Sequence, residues 1–396
     1  MDRINAFGII LVIYSLSASV CADGISDYLL TAEQDISPIT LSAGKSGWVE
    51  SVQFRASIDD SDETKQSYAL RLKPKSLEHV NSETTLLELS RKQTIYEYES
   101  NLNSELEKRY LQLIRLSEAI HRVKILEQQK LTITSEIIIH RSAVKSGEFD
   151  PQKLQRSELQ AESIDLEILR GQQLIQQLSS DISIEDLADL SIDVDLPIDD
   201  IKNNIKRLNH SSVAQRSENI SLKTLIAKAN LNREKSLHRL RIDFLQLEST
   251  DREGNKDPQS YELSIGVNLP FGNRYKYSKS LIDLQRLKRK NTLAKSKIKQ
   301  TEKQLKSYLA IKIAEHTSIQ KLLDKLSVRL ENLQYMNQKI LLVELKKEQD
   351  KYSLELNKVN HSLYRNYIEL LSFYGQLGKR PIRNWLQHNT PILASK

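Results

Sequence analysis

Between Leu77 and Lys145 the chain contains neither glycine nor proline, and apolar residues recur at helical spacing: Leu106, Tyr110, Leu113, Leu116, Ile120 and Val123. At ~1.5 Å per residue such a helix is on the order of 100 Å long, more than a compact globular domain has use for. A short alternating stretch, Tyr68 to Lys73, and a proline, Pro74, introduce it. The same succession returns later. Ser67-Tyr68-Ala69-Leu70-Arg71-Leu72 matches Ser260-Tyr261-Glu262-Leu263-Ser264-Ile265. In the second copy Tyr261, Leu263, Ile265, Val267 and Leu269 share one face, and Glu262, Ser264, Gly266 and Asn268 take the other. That period of two is the pattern of a half-buried strand. Pro270 and Gly272 break it, and a second long charged helix begins at about Tyr275. The plan is duplicated.

Read in order, residues 1–22 form an expected export signal, with Arg3 at its positive end and an apolar run from Ala6 to Val20. Cleavage after Ala22 is expected in preference to lipidation of Cys21, and it removes the only cysteine. Residues 23–46 are polar and irregular, interrupted by Pro38 and Gly44. The first repeat spans 47–180. Trp48, Val52, Phe54, Ala56 and Ile58 alternate, interrupted only by Glu50, and an acidic loop leads to the return strand Tyr68–Lys73. Lys145-Ser146-Gly147 stops the long helix, and Asp150-Pro151 starts a second one. Its seam of Leu154, Ser157, Ala161, Ile164, Ile168, Gly171, Ile175 and Leu178 suits close antiparallel packing on the helix before it. A linker, 181–198, leads to the second repeat, 199–380. That repeat reads as a helix over Asp199–Leu237, a strand with Leu240, Ile242 and Phe244 on one face, and the strand Tyr261–Leu269. A helix to about Lys339 follows, then a partner helix terminated by Gly378 and Pro381. Residues 381–396 are a tail.

The expected fold class is therefore α+β and mostly α: long antiparallel helical hairpins plus four amphipathic strands in an internal two-fold repeat. Aromatic residues at 6 %, charged residues at 28 % and a mean hydropathy of -0.48 suit solvated helices better than a large compact core. Beyond the leader, no segment reaches the ~20 apolar residues of a membrane helix, so membrane spanning requires a β-barrel. Four strands cannot close one, because the smallest membrane barrels use ~8. Either the strands lie in a soluble sheet or several protomers contribute to one barrel.

With these features the chain resembles the TolC-like outer membrane efflux proteins. The resemblance rests on the duplicated strand–loop–strand–long-helix unit, the junction Gly266-Val267-Asn268-Leu269-Pro270-Phe271-Gly272, the Gly147 turn with its small-residue seam, and the closing Gln376-Leu377-Gly378. It implies a homotrimer in which a twelve-stranded barrel in the outer membrane continues as a helical tunnel through the periplasm. A periplasmic adaptor and an inner-membrane transporter would be the partners, with outer membrane lipid around the barrel. The tips near Gly147, Asp150 and Glu344 would dock the adaptor, and Pro270 and Gly272 would mark the strand-to-helix junction. The chain departs from the family pattern before its first strand and at its second tip, which has no glycine where the family usually has one. Residues 23–46 are too short for the helix that precedes the first strand. The strand-proximal half of 77–145 thereby lacks the partner that 199–237 supplies to the second half. Near the second tip Glu344 is followed by Lys347 where a second acid is expected, so closure by carboxylates is not implied.

No other chemistry emerges. The eight histidines are scattered without metal-ligand spacing. No phosphate loop, nucleophile elbow or nucleophile–base pair is present, so neither catalysis nor a cofactor is assigned. Arg274 to Lys306 carries twelve Lys or Arg against two acids. Its bland reading is a solvated helix face, its sharper one an attraction to anionic lipid or cargo. Nucleic acid is not an expected partner, since aromatics hardly interleave with the basic residues. A periplasmic coiled-coil adaptor and a structural scaffold are the competing classes. An adaptor would show Gly-rich β-domains around one hairpin, and a scaffold would not need four matched strands.

Overall fold

The computed structural model describes residues 25–36, 47–59, 65–145, 151–182, 196–211, 215–239, 241–252, 259–268, 275–334 and 339–393. The expected leader, 1–22, lies outside them. The elements are β1 (Val49–Asp59), β2 (Lys65–Pro74), α1 (Leu77–Lys145), α2 (Pro151–Ile182), α3 (Ile198–Ser211), α4 (Gln215–Leu237), β3 (Arg241–Arg252), β4 (Gln259–Asn268), α5 (Tyr275–Gln334) and α6 (Lys339–Phe373). The fold is mostly helical with one antiparallel sheet, as the patterns imply. The single helix read over 199–237 is instead two, α3 and α4, with 212–214 outside the described residues. Two compact units result: a sheet unit, 38–98 with 215–298, and a helical unit, 1–37, 99–214 and 299–396.

In the sheet unit the strand order is β1-β2-β3-β4, antiparallel throughout. The hairpins of the two repeats are thus sewn together by β2 and β3, from Lys65↔Arg252 to Leu72↔Leu245. Two register shifts explain breaks in the alternation. Pairing passes from Val49↔Pro74 to Ser51↔Lys73, which leaves Glu50 as the extra residue of a bulge. It passes from Ile242↔Val267 to Phe244↔Gly266, which leaves Asp243 extra. The second bulge corrects the sequence reading: Ile242 and Phe244 lie on opposite faces, because one inserted residue shifts the side-chain parity.

Helix α4 also touches the start of α1. His79 Nδ1 lies 3.1 Å from Ser236 Oγ, and the Tyr96 hydroxyl donates to Glu218 at 3.0 Å. The strand-proximal half of α1 is therefore not without a partner. One helix serves both repeats.

The helical unit closes around α1 and α6. Leu102, Leu106, Tyr110, Leu113 and Ile114 are buried, as are Leu363, Tyr367, Ile368, Leu370 and Leu371. The Tyr110 hydroxyl donates to the Arg383 carbonyl at 2.6 Å, and Asn204 donates to the Tyr367 hydroxyl at 2.9 Å. Burial pushes both phenols well above the usual tyrosine value, so they stay neutral donors and acceptors. The final segment is part of this core: Ile382, Leu386 and Leu393 are buried, and Leu393 N–H donates to the Ile382 carbonyl at 2.8 Å. Of 23–46, residues 25–33 are helical, with Leu29 and Ala32 buried. Arg109 fixes them, donating to the Tyr28 carbonyl, Thr31 and Asp35.

Helix α6 ends at Phe373, earlier than Gly378. Gly375 takes φ 66°, Gly375 N–H bonds to the Ser372 carbonyl at 2.8 Å and Gln376 N–H to the Leu371 carbonyl at 2.9 Å. This is a Schellman stop, which needs the left-handed conformation that glycine adopts freely. Gly378 has a different role. A Cβ there would sit 2.9 Å from the Glu99 carbonyl oxygen and 3.0 Å from Asn103 N, backbone atoms that cannot step aside. Asn103 binds this corner to α1, donating to the Ser372 carbonyl at 2.9 Å and accepting from Leu377 N–H at 3.2 Å.

Helix α2 lies on α1 through the small-residue seam. Ile164 joins Leu126 and Ile133 in a core flanked by Ala161, Ile168, Ile137 and Leu354. A Cβ on Gly171 would be 2.5 Å from Val123 Cγ2. Ion pairs Arg141–Glu158 at 2.8 Å and Arg122–Glu167 at 2.9 Å flank the seam with antiparallel register. Exposed as they are, they fix register more than stability.

Candidate functional site

The cross-strand register sorts the sheet into two chemically distinct faces. Val52, Leu72, Leu245 and Ile265 form one row, and Phe54, Leu70, Leu247 and Leu263 the next. A third row is Ala56, Tyr68, Ser249 and Tyr261. These rows alternate with polar ones: Gln53, Arg71, Gln246 and Ser264, then Arg55, Ala69, Glu248 and Glu262, then Ser57, Ser67, Thr250 and Ser260. The apolar face is bare. Phe54 is 70 % exposed, Ile58 71 %, Leu263 70 % and Tyr261 70 %. Burying such a face removes apolar surface from water at about 25 cal/mol per Å². A contiguous apolar face of this extent marks an interaction surface, for another protein or for a membrane.

Its dimensions are suggestive. From Val49 to Ile58 β1 advances nine positions, one of them taken up by the bulged Glu50, and at ~3.4 Å each with a ~40° tilt the band is roughly 20 Å tall. Tyr68 and Tyr261 sit in its last aromatic row toward the loops. Trp48, whose carbonyl accepts from Lys75 N–H, lies before the Glu50 bulge and so falls on the face of Lys73 and Arg71, not on the face of Val52 and Phe54 that the alternation implied. Tyrosines at the loop margin match the girdle that amphipathic rings form at a membrane–water interface. β1 and β4 are sheet edges among the described residues, with further partners available on each. No described helix is long and apolar enough to cross a membrane.

On the polar face the bulge builds a small stack. Phe244 lies over Gly266, where a Cβ would approach its ring to 2.2 Å, and the Arg71 guanidinium sits 3.7 Å above the ring centroid. Arg71 also approaches Asp243 at 3.9 Å, and Glu50 pairs with Lys73 at 3.4 Å. Each bulged acid thus faces a cation of β2, at the end of the sheet where the helices leave it. The strand-to-helix residues Pro270 and Gly272 fall outside the described residues.

Gly147 and Asp150 also fall outside them. Glu344 is described, on the second turn of α6. It lines a cleft with Glu136 and His140 of α1, Lys153 and Ser157 of α2, and Lys347. Lys347 donates to Glu136 at 2.9 Å, and His140 Nε2 lies 3.4 Å from the same carboxylate. The base that stands where a second acid was expected is therefore held by α1. Further along the same helix pair, Asp350 accepts from Thr132 at 2.9 Å, and burial raises its carboxyl pKa. Sequence reasoning passed over this ladder, because partners more than two hundred residues apart leave no local pattern. The Phe244–Arg71 stack was hidden for a similar reason: the bulge that creates it breaks the alternation used to find the strand.

Comparison with solved structures gives matches over 91 % of the chain. CusC, described for conformational changes accompanying folding and transmembrane channel formation, has a TM-score of 0.59 at 11 % identity over 88 % of its own length. The outer membrane protein VceC from Vibrio cholerae gives 0.59 at 8 % over 92 %. A membrane protein from Pseudomonas aeruginosa gives 0.58 at 10 % over 87 %. No protein-family model matches the chain, and no curated protein matches it. The shared feature is the fold.

Proposed function

We propose that this chain is one protomer of an outer membrane export conduit. One observation carries the reading: a four-stranded sheet with a bare apolar face, a polar opposite face and two edges, joined to helices of 69 and 60 residues. Open edges are not tolerated in lipid, and four strands are too few to close. Three copies related by a rotation axis give twelve strands and pair every edge. The apolar rows then face lipid, and the rows of Arg71, Glu248 and Glu262 line the bore. The likeness in fold to the outer membrane protein VceC and to CusC supports this reading. The long helices would continue the bore through the periplasm, with a periplasmic adaptor and an inner-membrane transporter as partners. The region around Gly147, Asp150 and Glu344 would be the docking tip, and Pro270 and Gly272 the turn from barrel to tunnel. The chain acts as a passive conduit, with no catalytic residue.

The test is extraction of the full chain from outer membranes, light scattering corrected for detergent, and reconstitution in planar bilayers. A particle of about three protomers that conducts ions is the expected result. A monomer confined to the soluble fraction would rule the barrel out and favour the scaffold or adaptor reading.

A further inference from the structure

The conduit reading leaves the cationic run after β4 without a role. Between Tyr275 and Ile298, α5 carries eight Lys or Arg against one acid, Asp283, and all eight cations are exposed. Among the described residues the ion pairs of α5 begin only further along, at Glu302–Lys306. Lys279, Arg286, Lys290 and Lys297 follow one another at intervals of seven, four and seven residues, which places them on one flank of the helix. Arg286 and Lys290 line a groove of about 610 Å³ between α4 and α5, joined there by Lys223 and Arg233 and by the amides of Gln93 and Asn230. Of the two acids in the groove, Glu234 is engaged by Arg233 at 3.1 Å and Asp283 is exposed, against the four cations Lys223, Arg233, Arg286 and Lys290. The net chemistry is cationic and rich in amide donors.

We propose that this groove and its flanking stripe bind an extended carboxylate-bearing polymer of the periplasm, of the kind presented by the acidic peptide stems of the cell-wall glycan. The inference rests on the conduit reading, in which α5 leaves the membrane at the end of β4. Ammonium, guanidinium and amide donors together suit carboxylates, through charge-assisted hydrogen bonds. Length decides between a polymer and the membrane itself. From Lys279 to Lys297 the stripe runs roughly 27 Å along the helix, whereas fixed lipid charges act over about 8–10 Å at physiological salt. A lipid leaflet reaches Lys279 and the Ser280 edge of the groove, whereas Arg286, Lys290 and Lys297 lie roughly 10, 16 and 27 Å further along the helix. The groove also lacks the aromatic platforms that single-stranded nucleic acid stacks upon.

The experiment is co-sedimentation of the detergent-purified full chain with isolated peptidoglycan sacculi across a salt series. Lys223→Gln/Arg286→Gln/Lys290→Gln is compared with a charge-matched control, Lys321→Gln/Lys325→Gln/Arg329→Gln. The expected result is salt-sensitive pelleting of the native protein, lowered in apparent affinity by about tenfold or more in the groove variant and little changed in the control. Equal pelleting of groove variant and native protein would overturn the proposal, as would equal losses in both variants. Binding to anionic phospholipid vesicles but not to sacculi would also overturn it and assign the stripe to lipid. A membrane-extracted trimer that ignores sacculi sinks this inference alone. A chain that never forms the membrane oligomer sinks the conduit reading and this inference with it.

Discussion

Leu363 and Leu263 are the same residue in opposite circumstances: one is 1 % exposed in the helical unit, the other 70 % exposed in the sheet unit. Tyr367 and Tyr261 repeat the contrast, at 0 % and 70 %. In the helical unit the chain completes its own core, drawing residues 25–33, α1, α3, α6 and the final segment around two tyrosines whose hydroxyls are hydrogen-bonded. In the sheet unit no described residue covers the apolar rows, and the outer edges of β1 and β4 are unpaired among the described residues. Apolar composition alone therefore does not locate a core. What locates it is whether the same chain supplies the opposing surface.

The contrast is sharpest at the two leucines. Leu363→Ala should destabilise the helical unit by about 2–5 kcal/mol through lost burial and the cavity left behind, read by denaturant unfolding followed by circular dichroism. Leu263→Arg should cost about 2–4 kcal/mol only where the sheet faces lipid. Its expected signature is loss of the membrane-extracted oligomer with the helical signal retained. If Leu263→Arg instead melts the helices, or leaves membrane yield unchanged, the apolar face is not a lipid face.

The close approaches refine the same comparison. Gly378→Ala meets backbone of α1 and should cost about 1–3 kcal/mol in a thermal or denaturant midpoint. Gly266→Ala meets only the Phe244 side chain, which can turn away at the cost of its stack with Arg71, so a smaller loss is expected. Equal losses at both glycines would show that the sheet is as closely packed as the bundle.

The smallest expected effect is a pH dependence confined to the helical unit. Burial lowers the pKa of His361, which lies between Ser117 and the Asn357 carbonyl, at 3.5 Å and 2.7 Å. As pH falls below the usual histidine value of 6.5, the unfolded chain takes up a proton that the folded chain refuses. Stability should decline in that window and level off below the lowered folded value. His361→Gln should flatten the decline, measured as the difference between the two proteins so that the carboxyls of Asp350 and Glu369, whose pKa values burial raises, cancel.

By itself the sequence determined the long helices and the strands, but not the division of 199–237 into α3 and α4 or the helical turns of 25–33. The glycine-free run of α1 could only be a long helix, and alternation in β1, β2 and β4 could only be amphipathic strands, because period and breakers are local properties of the chain. The seam through Ser157, Ala161, Ile164 and Gly171 was legible for the same reason. Tertiary structure alone decided the rest. Local pattern said nothing of α4 serving both repeats, of Gly375 stopping α6 while Gly378 packs on α1, or of Asp243 turning Phe244 onto the polar face beneath Arg71. Nor did it show Lys347 held by Glu136. Each depends on a partner far away in the chain, and a partner brought near only by folding leaves no period to read.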